Sequence, residues 1–416
     1  MIRRVPLVAL ALATACADPL LHDPSGGSSG GGEPPVVSDL PTLMEACDLD
    51  HGGSTLVITT TDFSTGSVTV VDTRNRVVTP DVALATTDSI PFAVGERVYV
   101  VSRFGHDFVD VLEPGPTTWP SRGQYAIATD QTSAPNPHSI AIASDGLAYV
   151  PLFGAGTVRV MDFDQPPGSA TVRDIDLSAF ADDDGNPEPS LAIACGDIVF
   201  VTIQRLDGAF MPVGPDALVP IDTRRGVALD LDPDRPGGQG IELAGTWLRQ
   251  LRRDPTDPTG HTLLGLTTGI ERIDLSTGAV DWTVTPEVLA RAGINHPLLP
   301  LSFDTSSDGT AAYLAAYGSN DPTVDCSLDP GRCYDRASLY DVVRDDPSAT
   351  PRMFATDFDA VDHTLEVLQQ ELWFGSNRRG NGGLFVFDLE GDAPSQIDGP
   401  LSTGLPPYSL TAMELP

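Results

Sequence analysis

Three histidines, His138, His296 and His363, with Tyr408 and the arginines Arg103, Arg205, Arg378 and Arg379, are the side chains of this sequence best suited to act together on a ligand. Imidazole and guanidinium groups gathered at one site attract a carboxylate, a phosphate or a sulfated sugar. Three converging imidazoles can also hold zinc or another transition metal. A lactonase-like hydrolase or lyase built on them requires a metal or a general base within reach of an ester carbonyl. No compact constellation supplies one, and Glu188 is the first acid to test. Each imidazole can equally serve the fold by bonding a neighbouring element. No cofactor is expected and no metal is assigned.

Other chemistries leave weaker marks. There is no Gly-x-Ser-x-Gly elbow for a serine nucleophile and no glycine-rich phosphate loop. The acidic stretches Asp182-Asp183-Asp184-Gly185-Asn186-Pro187-Glu188 and Asp230-Leu231-Asp232-Pro233-Asp234 concentrate oxygen ligands. Neither has the spacing of the twelve-residue calcium loop, and both read as solvated surface loops.

The elements that position these residues follow from a recurring pattern. It is clearest from Asn136 to Val150, continues through Gly156-Thr157-Val158-Arg159-Val160-Met161-Asp162, and describes four short antiparallel strands separated by turns, the signature of a β-propeller blade. An apolar strand ending in an acidic residue marks the third strand of each unit. Val68 to Asp72, Phe108 to Glu113, Val158 to Asp162, Leu218 to Asp222, Ile270 to Asp274, Leu339 to Asp341 and Leu384 to Asp388 fit, so the expected fold is an all-β, seven-bladed propeller. The first unit starts at its second strand, Thr55 to Thr59, and the segment Pro406 to Met413 resembles an innermost strand. The C-terminal strand is therefore expected to close the first blade, leaving no open edge. In this alignment the histidines and Tyr408 head innermost strands, and the arginines lie at turns between second and third strands, all at one end of the channel.

The run Pro-His-x-Ile-Ala-x-x-x-Asp-Gly-x-x-Tyr-Val, followed by Gly-x-Val-x-Val-x-Asp, resembles the repeat of the YVTN family of seven-bladed propellers. That family includes bacterial surface-layer and periplasmic proteins, and related propellers include lactonases. The third blade matches closely, and the Asp-Gly turn recurs at Asp308-Gly309.

Composition sets the setting. With 24 basic and 58 acidic residues the formal charge is −34, which disfavours nucleic acid. Arg3 and Arg4 precede an apolar run too short to span a bilayer, so residues 1–15 read as a signal peptide. The small residues before Cys16 resemble a bacterial lipobox, making Cys16 a lipidation site, with ordinary cleavage after Ala15 as the alternative. Residues 16–46 form a Gly/Ser/Pro-rich tether and 47–416 the propeller. In an oxidising compartment Cys326 and Cys333 are expected to pair across a turn. Cys47 and Cys195 either pair, pinning the N-terminal segment across the far end of the ring, or leave Cys195 buried and free. The expected protein is a monomer of the bacterial cell envelope, held by its lipid, with the outer membrane favoured. It binds or scaffolds a protein or glycan partner at the cell surface or in the periplasm.

Overall fold

The computed structural model describes residues 40–49, 52–128, 134–295, 300–317, 337–359, 363–378 and 382–415. His296, Arg379, Cys16, Cys326 and Cys333 lie outside the described residues. Seven antiparallel sheets form seven blades in a ring. The third strands are Gly66–Asp72, Phe108–Leu112, Thr157–Met161, Ala217–Asp222, Ile270–Asp274, Ala337–Val343 and Gly383–Asp388, one for each acidic-ended segment of the sequence.

The ring closes through the two ends of the folded chain. Pro407–Met413 pairs antiparallel with Thr55–Thr61, with Leu56 opposite Ala412 and Ile58 opposite Leu410. Closure is also visible in the core, which consists of seven apolar clusters, one in each seam between adjacent blades. In the closing seam Leu56, Ile58, Leu410 and Ala412 of blade one pack on Leu368, Trp373, Leu384 and Val386 of blade seven. A sheet flanked on both faces reads as a continuous apolar run. The second strand Thr55–Thr61 is accordingly buried along its whole length, whereas the outermost strand Val77–Ala85 of the same blade is mostly open to water.

Exposed outer strands are a template for edge-to-edge pairing unless they are irregular. In blades one, two, three, five, six and seven the register between third and fourth strands shifts at a bulge. Blade four breaks its outer strand instead. Only Val227–Ala228 and Ile241–Glu242 pair with the third strand, and the intervening segment leaves the sheet.

The recurring Asp-Gly turn has a local cause. Asp145 accepts from the Leu147 amide and the Tyr149 hydroxyl, and Gly146 takes a left-handed φ of 76° that suits glycine. Asp308 and Gly309 repeat the arrangement in blade six, where φ is 70°.

At the end opposite the histidines, Cys47 and Cys195 form a disulfide. The attached segment adds backbone bonds from Glu45 and Asp48 to the carbonyls of Cys195 and Ala194, and from Cys47 to Gly260. Leu40, Met44 and Cys47 are buried in the seam between blades four and five. Asp48 and Leu49 thereby come to line the central channel.

Candidate functional site at the mouth of the ring

The heads of the innermost strands and the turns between second and third strands share one end of the ring, because antiparallel strands return to it. At the head of the closing strand, the Tyr408 hydroxyl donates to Asp88 Oδ1 at 2.8 Å. Arg103, from the turn of blade two, reaches the same carboxylate through Nε at 2.8 Å and Nη2 at 2.6 Å, and donates to the Tyr408 hydroxyl at 3.0 Å. Burial, with Asp88 alongside and against the pull of Arg103, pushes the Tyr408 phenol up to about 12. It is therefore a donor at neutral pH.

His138 heads the innermost segment of blade three. Its Nδ1 lies 3.4 Å from Ser190 Oγ, and its ring stacks on Phe153 at 4.4 Å and 11°. Burial, with added repulsion from Arg103 and His363, drives its pKa well below the usual value. The imidazole is neutral at pH 7. His363 heads blade seven with φ of 58°, and its carbonyl accepts from Leu410 across the closing seam.

Three of the expected arginines are therefore placed, and each already has an acid. Arg103 holds Asp88, Arg205 lies 3.6 Å from Glu242, and Arg378 is paired with Asp357. This changes the chemistry expected from sequence, since a guanidinium satisfied by a carboxylate offers planar hydrogen bonding more than net positive charge.

Below the mouth the channel narrows to a cavity of ≈ 90 Å³ lined by Ser139, Gln250, Arg252, His363, Glu366 and Ser409, with Asp48 and Leu49 among the lining residues. Arg252 and Glu366 pair at 2.8 Å with both side chains buried. Burial raises the Glu366 carboxyl to about 7 against the opposing pull of Arg252. Glu188, beside the head of blade four, has its carboxyl raised to about 8 by burial and then by Asp184, with the Leu206 amide bonding it in opposition. Among the described residues no group of three His, Cys, Asp or Glu side chains is arranged to hold a metal.

Sequence reasoning missed the aromatic side chains of this end. Phe63, Phe104 and Phe210, from the turns of blades one, two and four, are 65%, 63% and 44% exposed. Trp247, in the connection into blade five, lies under the guanidinium of Arg249 at 5.2 Å. All four have left-handed backbone, with φ of 65°, 34°, 60° and 63°. Bulky residues rarely adopt this region, where glycine or asparagine is the usual occupant. Phe63 stands edge-on to Tyr408 at 6.2 Å, and Phe210 lies at 6.4 Å and 20° from Phe153. The sequence signal was an aromatic residue at a turn position, as in Asp62-Phe63-Ser64 and Arg103-Phe104-Gly105.

The class defined by these features is a seven-bladed propeller with an aromatic-studded mouth and an N-terminal segment disulfide-bonded to its far end. No protein-family model matches the chain, and no curated protein does. Its fold is shared with solved structures at low identity. A periplasmic gluconolactonase of Pseudomonas aeruginosa matches with TM-score 0.55 and 14% identity over 86% of this chain and 98% of that one. A functionally unknown protein from Desulfotomaculum acetoxidans matches with TM-score 0.52 and 12% identity over 87% of this chain and 100% of that one. A protein from Lactobacillus plantarum gives 0.50 and 15% over 86% and 98%. These likenesses concern the fold.

Proposed function

We propose that the protein is a glycan-binding propeller that holds a neutral saccharide at its mouth, anchored by lipid at the bacterial cell envelope. The observation that carries this reading is the set of four aromatic residues held in left-handed backbone at one end of the ring. Such backbone costs of order 1–3 kcal/mol per residue and persists where the surroundings or a function impose it. The apolar face of a sugar ring stacks on an aromatic side chain, and its hydroxyls suit the paired donors and acceptors of Arg103, Asp88 and Tyr408. Paired arginines on a chain of charge −34 disfavour acidic glycans. The test is electrophoresis of the purified protein through gels containing soluble neutral polysaccharides. Retardation that Phe63→Ala and Phe104→Ala abolish supports the reading, and equal mobility in every gel overturns it.

A second reading, hydrolysis of a sugar lactone, is supported by the neutral His138 beside Ser190 and by the fold shared with a gluconolactonase. Lactone turnover followed by acid release, lost in His138→Ala with the fold intact, would establish it. No turnover in the wild type would remove it.

A further inference from the structure

We infer that Asp216 and Glu271 are positioning residues of the mouth, two buried carboxylates that clamp the connection between blades four and five so that Trp247 is held as a fixed stacking platform. This rests on the glycan reading above and adds the residues that place one of its four aromatic side chains. Residues 243–249 leave the outer strand of blade four and lead into the innermost strand of blade five, Gln250–Arg253. On the blade-five side Glu271 Oε2 accepts from the Ala244 amide and Oε1 from the Gly245 amide, both at 2.8 Å, and the Thr267 hydroxyl donates to Oε1 at 2.5 Å. On the blade-four side Asp216 Oδ2 accepts from the Leu248 amide at 2.5 Å. The Asp216 backbone also donates to the Gly245 carbonyl and accepts from the Leu243 amide. The Gln204 side chain adds a bond to the Leu248 carbonyl at 3.0 Å. The anchors thus fall on both sides of Trp247.

Asp216 and Glu271 are both fully buried, and a carboxylate out of water is costly unless hydrogen bonds replace its hydration. Burial raises both carboxyls. The amides of Leu248 and Trp247 oppose it at Asp216, as the Thr267 hydroxyl and the amides of Ala244 and Gly245 do at Glu271. The connection therefore supplies the amide partners of both acids, and the acids fix it through charge-assisted bonds, about twice as strong as neutral ones. The sequence is shaped for this approach, since at Gly245 an added Cβ would collide with Thr267 Oγ1 and lie 2.7 Å from Glu271 Oε1. Trp247 itself is half-buried, takes φ of 63°, and has the Arg249 guanidinium over its ring at 5.2 Å. A bulky residue rarely adopts that backbone, and the anchors on either side impose it here. An aromatic face oriented before binding avoids the ordering cost of a mobile ring.

The experiment uses the full chain carrying Trp282→Phe. Trp119 and Trp373 are buried, so Trp247 is then the tryptophan open to a soluble quencher. Acrylamide quenching should rise at least about twofold in Glu271→Ala and in Asp216→Ala as the connection loosens, and less in Glu271→Gln, which keeps one acceptor oxygen. Affinity electrophoresis through hydroxyethyl cellulose, galactomannan and starch supplies the binding readout. Trp247→Ala and Glu271→Ala should each weaken retardation about five- to tenfold, and the double variant should match Trp247→Ala alone to within about twofold. Thr267→Val removes a single donor to Glu271 and should move both readouts in the same direction, which keeps the test open should the carboxylate variants fail to fold. Unchanged quenching, unchanged retardation in Glu271→Ala, or losses that multiply in the double variant would mean that the acids serve only the seam between blades four and five, and overturns the clamp. If no polysaccharide retards the protein, the saccharide reading falls, while quenching still decides whether the two acids hold Trp247.

Discussion

The hydroxyl of Tyr408 donates to Asp88 across 320 positions of sequence, so one hydrogen bond belongs both to the mouth and to the closure of the ring. Tyr408→Phe leaves Arg103 and Asp88 paired, and removes that donor together with the oxygen that accepts from Arg103 Nη2. A net loss of about 1 kcal/mol is expected, read as a small fall in melting temperature. Deleting residues 407–416 is a different perturbation. It takes Leu410 and Ala412 from one seam and Met413 from the next, and cooperative unfolding should disappear from calorimetry.

The rim aromatics predict an exchange of stability for binding. Phe63 is exposed with φ of 65°, a conformation that costs a non-glycine residue roughly 1–2 kcal/mol. Phe63→Gly should therefore raise the melting temperature while weakening saccharide binding by about tenfold, equivalent to about 1.4 kcal/mol. A variant that is both less stable and unchanged in binding would show that the ring serves packing, through its edge contact with Tyr408.

The architecture was legible because a propeller repeats its burial pattern. Each third strand is apolar and ends at an acidic turn, and a missing first strand at Thr55 pairs with a surplus one at Tyr408. The pairing of Cys47 with Cys195 was one of two open readings, and the structure contains it. The mouth was legible only as a location. Placing Arg103 at a turn does not disclose that Asp88, from the preceding connection, neutralises it. Residue types were weighed for charge and metal binding, whereas the distinctive property of Phe63, Phe104, Phe210 and Trp247 is backbone conformation, which a sequence carries only as an aromatic residue in a turn.

The disulfide restrains a loop of 148 positions, and cross-links of long loops contribute about 2–4 kcal/mol by limiting the unfolded chain. Cys47→Ala with Cys195→Ala should lower stability by that amount in chemical denaturation. Because Glu45, Cys47 and Asp48 keep backbone partners, the folded ring should persist. Saccharide binding at the opposite end should change less than about twofold.

The buried acids set the pH dependence of stability. The Glu188 carboxyl is held up to about 8 in the folded protein against an ordinary value of 4.5, mainly by burial. Between those values the folded state keeps a proton that the unfolded chain has released, so stability falls as pH rises. The contribution is fully present below 4.5 and lost as pH rises through about 8. Glu366 and Asp216, each raised to about 7 by burial, act in the same direction. His138, with its lowered value, acts oppositely, and its contribution is lost as pH falls below 6.5. The wild type should therefore lose stability between about pH 4.5 and 8, at up to about 1.4 kcal/mol per unit for each acid still titrating. Glu188→Gln removes one of these groups while keeping an acceptor for the Leu206 amide, and should flatten the decline in melting temperature over that range. Parallel curves for wild type and variant would mean that Glu188 is already ionised in the folded ring.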